Sequence, residues 1–249
     1  MNWFIFEYHF AFYYVTKQFT ESNMTKYDSR GLRTSSCFGG RRPDANTPVR
    51  HIHEEQMSFF LAGDGTGRYY CYQLGEKYFM TLLNNEERTC VYSAGWTPST
   101  LFLSWIAMAL HHVGIRWQNA IEAVDELVDS EKEVVFHKKK SFDLDQRAKD
   151  QTIGQLQTYF WALEAYKLFE DSLTKTVEAW EHFKRGSLHR VNDSRNDGDY
   201  DVSVELIELS IERLRSKIDW VCQKSKQVAQ LREGLSFAAQ ISDTSVGIS

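Results

Sequence analysis

The sequence predicts an α/β chain: an N-terminal mixed sheet with helices, then a long C-terminal antiparallel helical hairpin and stalk. Three observations carry that class. Aromatic and β-branched residues crowd residues 3–19 and return in short runs as far as Tyr92, the composition of half-buried strands. From Thr97 onward, apolar residues recur at three- and four-residue steps instead, the rhythm of helices. Across residues 202–241, Ile207, Ile211, Leu214, Ile218, Val221, Ser225 and Val228 keep that rhythm. They share one side of a helix about 60 Å long if it is unbroken.

Taken in order, residues 3–19 suit two short strands, or one strand followed by an edge segment. Residues 22–48 are polar and rich in Gly, Arg, Ser and Asn, and they include Gly39-Gly40-Arg41-Arg42-Pro43-Asp44, the chemistry of a mobile loop. Residues 56–61 and 68–74 flank Gly63-Asp64-Gly65-Thr66-Gly67, which predicts a hairpin with a glycine tip. A further short strand is expected at residues 89–92.

Helices follow. Pro98 suits the opening turn of a helix over residues 97–112. A second helix is expected at 115–128, covering Ile115, Ala120, Ile121, Val124 and Leu127. Val134, Val135 and Phe136 suggest a short strand within residues 132–140. The next helix runs over residues 145–183 with Ile153, Leu156, Phe160, Leu163, Phe169, Leu173, Val177, Trp180 and Phe183 on its apolar side. Gly, Asn and Asp then collect at residues 186–201 as a flexible connector. Its ends lie close together, so the helices it joins are expected to be antiparallel. The resulting organisation is an α/β region at 1–144, with a mobile loop at about 22–50, and a helical hairpin and stalk at 145–249. The two regions are expected to pack as one unit.

Composition narrows the function classes. The chain has 34 acidic and 29 basic residues, a formal charge of -5, which gives no reason to expect nucleic-acid binding. Four scattered cysteines without a CxxC pair argue against a disulfide framework or structural zinc and favour a reducing, cytoplasmic setting. No run approaches the ~20 apolar residues of a membrane span, so a soluble chain is expected. The 16 Phe, 12 Tyr and 7 Trp suit a ring-rich core, with some left for a partner-facing surface.

Candidate sites are sparse. His51, His53 and Glu54, beside Glu55, form the best local metal-ligand cluster, because alternate residues of an extended segment share a face. The spacing is not HExxH, and short His/Glu runs also occur in solvent. Glu208, Glu212 and Asp219, with Glu205 and Glu233, could attract hydrated Mg²⁺, especially between subunits; a solvated helix face is the plainer account. His111 and His112 suit a helix end, and Cys37 a loop. Arg41-Arg42 and Lys138-Lys139-Lys140 suit solvated loops. The glycine tip lacks the Lys-Ser/Thr of a phosphate loop. No catalytic residue is assigned; an enzyme would need Cys37, His51 or His53 to meet an acid in a closed cleft.

Leu231-Arg232-Glu233-Gly234-Leu235-Ser236, followed by Ala238, Ala239, Gln240, Ile241, Ser242 and Asp243, looks like the end of a stalk helix. With Gly31, Ser35, Cys37 and Phe38, the Gln56-Met57-Ser58-Phe59-Phe60 segment, and His112, Arg116 and Trp117, it resembles the cytosolic portion of the fungal CorA-like divalent-cation transporter family. The resemblance implies an α/β cytosolic domain whose long helices assemble as a pentameric funnel at the cytoplasmic face of a membrane, with Mg²⁺ as the cation. The family's membrane helices and Gly-Met-Asn pore motif are not in these residues, so membrane association is expected only through a missing segment or a partner. The expected function is a non-enzymatic CorA-like cytosolic module for oligomer assembly or divalent-cation-sensitive regulation, truncated or transport-inactive. Ile207, Ile211, Leu214, Ile218 and Val221 would form the interaction stripe, meeting further copies or a helical protein partner. A soluble helical protein-interaction scaffold and a small-molecule enzyme with an unidentified site are the alternatives.

Overall fold

A computed structural model describes residues 3–18, 35–38, 49–64, 68–75, 97–137, 146–191 and 198–246. Its first element, β1 (Trp3–Gln18), is one strand of 16 residues rather than two short ones. Phe6, Tyr8, Phe10 and Phe12 are buried while Ile5, Glu7 and His9 are exposed, the two-residue alternation of a sheet covered on one face. Three more strands follow: β2 (Ser35–Phe38), β3 (Val49–Asp64) and β4 (Tyr69–Leu74). The sheet order is β1-β3-β2, with β4 also on β3. Both β2 and β4 are antiparallel to β3, β2 from Ser35↔His53 to Phe38↔Arg50 and β4 from Ser58↔Leu74 to Gly63↔Tyr69.

One sequence expectation changes here and another holds. Residues 35–38, placed in a loop, form β2, because β3 begins at Val49 and supplies a ladder partner. The glycine hairpin is present, closed by Asp64 N–H donating to the Arg68 carbonyl at 3.0 Å and Arg68 N–H donating to Asp64 Oδ1 at 3.3 Å. A Cβ on Gly63 would sit 2.4 Å from Phe4 Cζ, so any side chain there would force the Phe4 ring to move. The strand expected at 89–92 and the basic runs at 41–42 and 138–140 lie outside the described residues.

The helices are longer than their sequence signals. α1 (Pro98–His137) is one helix of 40 residues, replacing two helices and the strand expected at 132–140. Thr97 caps it, its Oγ1 accepting Thr100 N–H at 3.2 Å, with Pro98 at the first position. A glycine costs a helix roughly 1 kcal/mol against alanine. Gly114 does not break α1, because Leu110, Val113 and Trp117 around it are fully buried. Val134 and Val135 follow because extending a formed helix adds one hydrogen bond per residue fixed. α2 (Gln146–Phe183) leads into a π-helical turn (Lys184–Leu188) and a single turn, α3 (His189–Val191). The expected connector is therefore partly helical. α4 (Gly198–Val246) has 49 residues, about 73 Å, and runs through Gly234 unbroken. Asp199 and Asp201 lie in its first turn, where negative charge complements the helix dipole.

The N-terminal sheet with flanking helices and the packed C-terminal helices are thus both present. The chain divides into two compact units, one of Met1–Tyr13, Glu54–Trp117 and Ser172–Lys217, the other of Tyr14–His53, Gln118–Asp171 and Ile218–Ser249. Each takes a stretch from β1, β3 and the long helices. In the first, the covered sheet face meets α2. Ser172 Oγ and Thr176 Oγ1 donate to the Ala11 carbonyl at 3.0 and 3.3 Å, and the Tyr8 ring meets Trp180 edge-on at 6.1 Å. Phe102, Phe183, Ile207, Ile211 and Leu214 are buried in the same unit. The second unit buries Ile121, Val124, Tyr159, Tyr166, Phe169, Val221 and Val228. Each large apolar side chain so buried stabilises by about 1.5–3 kcal/mol.

Candidate functional site

Of the acidic residues singled out on α4, Glu208 and Glu212 are already engaged. Glu208 accepts from Lys184 Nζ at 2.6 Å and from Trp180 Nε1 at 3.0 Å. Burial pushes its carboxyl up, but the hydrogen bonds from Lys184 and Trp180 and the charges of Lys184 and Arg215 outweigh this and hold it below the usual carboxylate range. Glu212 accepts from Arg215 Nη1 at 2.9 Å, and the same guanidinium reaches Glu181. A cation arriving here competes with two basic side chains. Asp219 is exposed, as are Glu205 and Glu233.

The expected interaction stripe is covered by the chain itself. Ile207, Ile211, Leu214 and Val221 are fully buried, and Ile218 is half-buried. A single-chain core therefore accounts for the stripe. On the same helix Val202, Leu206 and Leu209 remain about half exposed at i, i+4 and i+7, a second apolar line. Past Val228 the cover thins: Leu231 and Leu235 are half-buried, and Phe237 is 65% exposed.

The second unit contains a polar clamp that sequence reasoning missed. Tyr166 Oη donates to Asp125 Oδ1 at 2.5 Å, and Lys224 Nζ lies 2.9 Å from Asp125 Oδ2. One carboxylate thus ties together α1, α2 and α4. Burial, then the hydrogen bond and charge of Asp125, push the Tyr166 phenol well above its ordinary range. That keeps it a neutral donor, suited to holding helices rather than to acting as a base.

The histidine cluster lies on β3 as the extended reading requires. His53 is half-buried with its ring 5.3 Å from Tyr14, Glu54 is half-buried, and Glu55 is 3% exposed. The side chain of His51 lies outside the described residues. The β2–β3 register makes Cys37 the backbone partner of His51, a juxtaposition invisible while Cys37 was placed in a loop. Among the described residues, no group of three or more His, Cys, Asp or Glu side chains is arranged to hold a metal ion. His111 and His112 sit within α1, their rings 5.7 Å apart, and not at a helix end. The continuity of α1 removes the capping role expected for them.

The other feature missed from sequence is the uncovered sheet face of the first unit. Ile5, Tyr70, Tyr72 and Leu74 are 54–62% exposed, and Phe60 beside them is half-buried. The Tyr70 and Tyr72 rings stand nearly parallel, 11° apart at 6.3 Å. Their two-residue spacing was the available signal.

No family model, curated protein or solved structure matches this chain. Among the described residues, no helix is long and apolar enough to cross a membrane.

Proposed function

We propose that the chain is a non-enzymatic assembly module of the CorA-like cytosolic kind, in which further copies meet along the distal part of α4. The observation carrying this reading is the change of cover along that helix. Its apolar stripe is buried at Ile207, Ile211, Leu214, Val221 and Val228, with Ile218 half-buried among them, and past Val228 only half-buried positions, Leu231 and Leu235, remain. Phe237 lies two residues past Leu235, about 200° further round the helix. A helix with apolar residues on opposite sides suits being surrounded, and identical helices around a symmetry axis supply such surroundings.

Mg²⁺ enters as a modulator of that assembly. Exposed Glu205, Asp219 and Glu233 repeat negative charge along α4, and hydrated Mg²⁺ between copies relieves their repulsion. Glu208 and Glu212, with basic counter-ions of their own, contribute less. The test is sedimentation of the whole chain at micromolar concentration, with and without millimolar Mg²⁺. A mass above the 29.1 kDa of one copy is expected, falling toward it in a Leu231→Glu/Leu235→Glu variant. One-copy mass under every condition sinks the reading, and a Mg²⁺-independent mass removes the cation component alone.

The scaffold reading is favoured by a separate observation, the exposed Val202–Leu206–Leu209 line. It fits one face of a helical protein partner. Capture of such a partner that survives Leu206→Glu counts against that surface.

A further inference from the structure

In the first unit, α4 turns an acid-edged apolar line to solvent. Val202, Leu206 and Leu209 are 53, 50 and 49% exposed, and their four- and three-residue steps set them in one line about 10 Å long. An acid stands one residue before each of them: Asp201, Glu205 and Glu208. One residue back is about 100° round a helix, so these carboxylates share one flank of the line, and Glu212 continues it. The opposite flank is closed. Ser203 and Ser210, one residue after Val202 and Leu209, are buried, and Ser203 Oγ lies 2.9 Å from Ser104 Oγ of α1. From Gly198 to Glu212 the helix carries five acids and no base. Lys184 engages Glu208 and Arg215 engages Glu212, but Asp201 and Glu205 are exposed and keep the rim negative.

We propose that this line docks a basic amphipathic helix of a partner protein. The partner's apolar residues, repeating at three- and four-residue steps, meet Val202, Leu206 and Leu209, while its lysines or arginines face Asp201 and Glu205. Charge selects this occupant. A second copy paired antiparallel would bring two acidic flanks together, which like-charge repulsion opposes; paired parallel, it would need the flank that α1 closes. Anionic lipid and nucleic acid are repelled by the same carboxylates. A strand needs a backbone edge, which a helix does not offer.

Direction follows from the far end of the line. Arg213, exposed and one turn past Leu209, reverses the sign there, so the docked helix carries an acid at that end and flanking charge fixes its orientation. Docking here rests on the scaffold reading and is independent of assembly along the distal part of α4.

The probe is a designed helical peptide of about 20 residues with leucines along one line and lysines on its flanks. Its twin carries glutamates on the flanks instead. Fluorescence anisotropy against the whole chain is expected to show the lysine peptide binding at least tenfold more tightly than the twin, and weakening as salt rises. Glu205→Lys should cut that preference at least threefold. Leu206→Glu removes an apolar contact while adding negative charge, so it should weaken the lysine peptide at least tenfold, whereas unspecific attraction of a cationic peptide would grow. Leu209→Glu serves as the second variant if Leu206→Glu disturbs the circular dichroism. Equal affinity for the two peptides, lost in both leucine variants, overturns the basic partner and leaves the scaffold reading standing. Binding of neither peptide, or lysine-peptide binding that survives both leucine variants, overturns the docking line itself.

Discussion

The two ends of α4 teach different things about an apolar stripe. Through the first, Ile207, Ile211 and Leu214 are sealed by their own unit; through the second, Leu231 and Leu235 keep the same spacing with half the cover. Periodicity is common to both. What differs is the company each stretch keeps, so equal substitutions should have unequal effects. The largest is expected at the covered end. Ile211→Ala removes a fully buried side chain and leaves a cavity, costing about 2–5 kcal/mol, measurable as a lower denaturant midpoint with an unchanged slope. A loss below 1 kcal/mol breaks the comparison.

Two polar networks sharpen it. Asp125, at 14% side-chain exposure, serves both Tyr166 and Lys224, so Asp125→Ala strands a buried hydroxyl and a partly buried ammonium at a cost of about 3 kcal/mol. Arg215, 40% exposed, bridges Glu181 and Glu212 in contact with solvent, where such pairs contribute about 0–1 kcal/mol. Arg215→Ala should therefore lower the melting temperature far less. Equal losses would mean that burial does not separate the two networks.

Glu208 adds a pH signature of intermediate size. Its carboxyl in the folded chain is held below the usual carboxylate range by Lys184, Trp180 and Arg215 despite partial burial, so the folded state binds this proton less readily than the unfolded state does. The stability it contributes is fully present above the unfolded value and is lost as pH falls through the folded one. Thermal stability should decline below about pH 4.5, and Glu208→Gln should flatten that decline. An unaltered pH profile in the variant excludes the Lys184 and Trp180 contacts as its source.

These contrasts explain what the sequence made legible. The alternation of Phe6, Tyr8 and Phe10 with Glu7 and His9 is local, and so is the glycine turn after Ala62; both are readable because neighbouring residues decide them. Separate helices at 97–112 and 115–128 and a strand through Val134-Val135 were expected where α1 is continuous, because buried neighbours and helix propagation override propensities worth less than about 1 kcal/mol each. β2 was hidden because a four-residue strand is decided by its partner. The stripe on α4 was readable as a stripe, but a periodic pattern names a face and not what covers it. The clamp at Asp125 joins residues 41 positions apart on two helices, a separation no spacing rule reaches.

The smallest expected change in stability is also the most informative about function. Leu235→Ala truncates a side chain that is already half open, so little apolar area returns to water and the loss within one chain should stay within about 0.5 kcal/mol. If that leucine is covered by further copies, the same truncation should weaken their association several-fold, because each copy loses the contact on both sides of its interface. Melting temperature at low concentration and sedimented mass at high concentration then separate. A variant that melts normally yet loses mass assigns Leu235 to contacts between copies. A variant that melts early at every concentration assigns it to the fold, and the two ends of α4 would then differ only in degree.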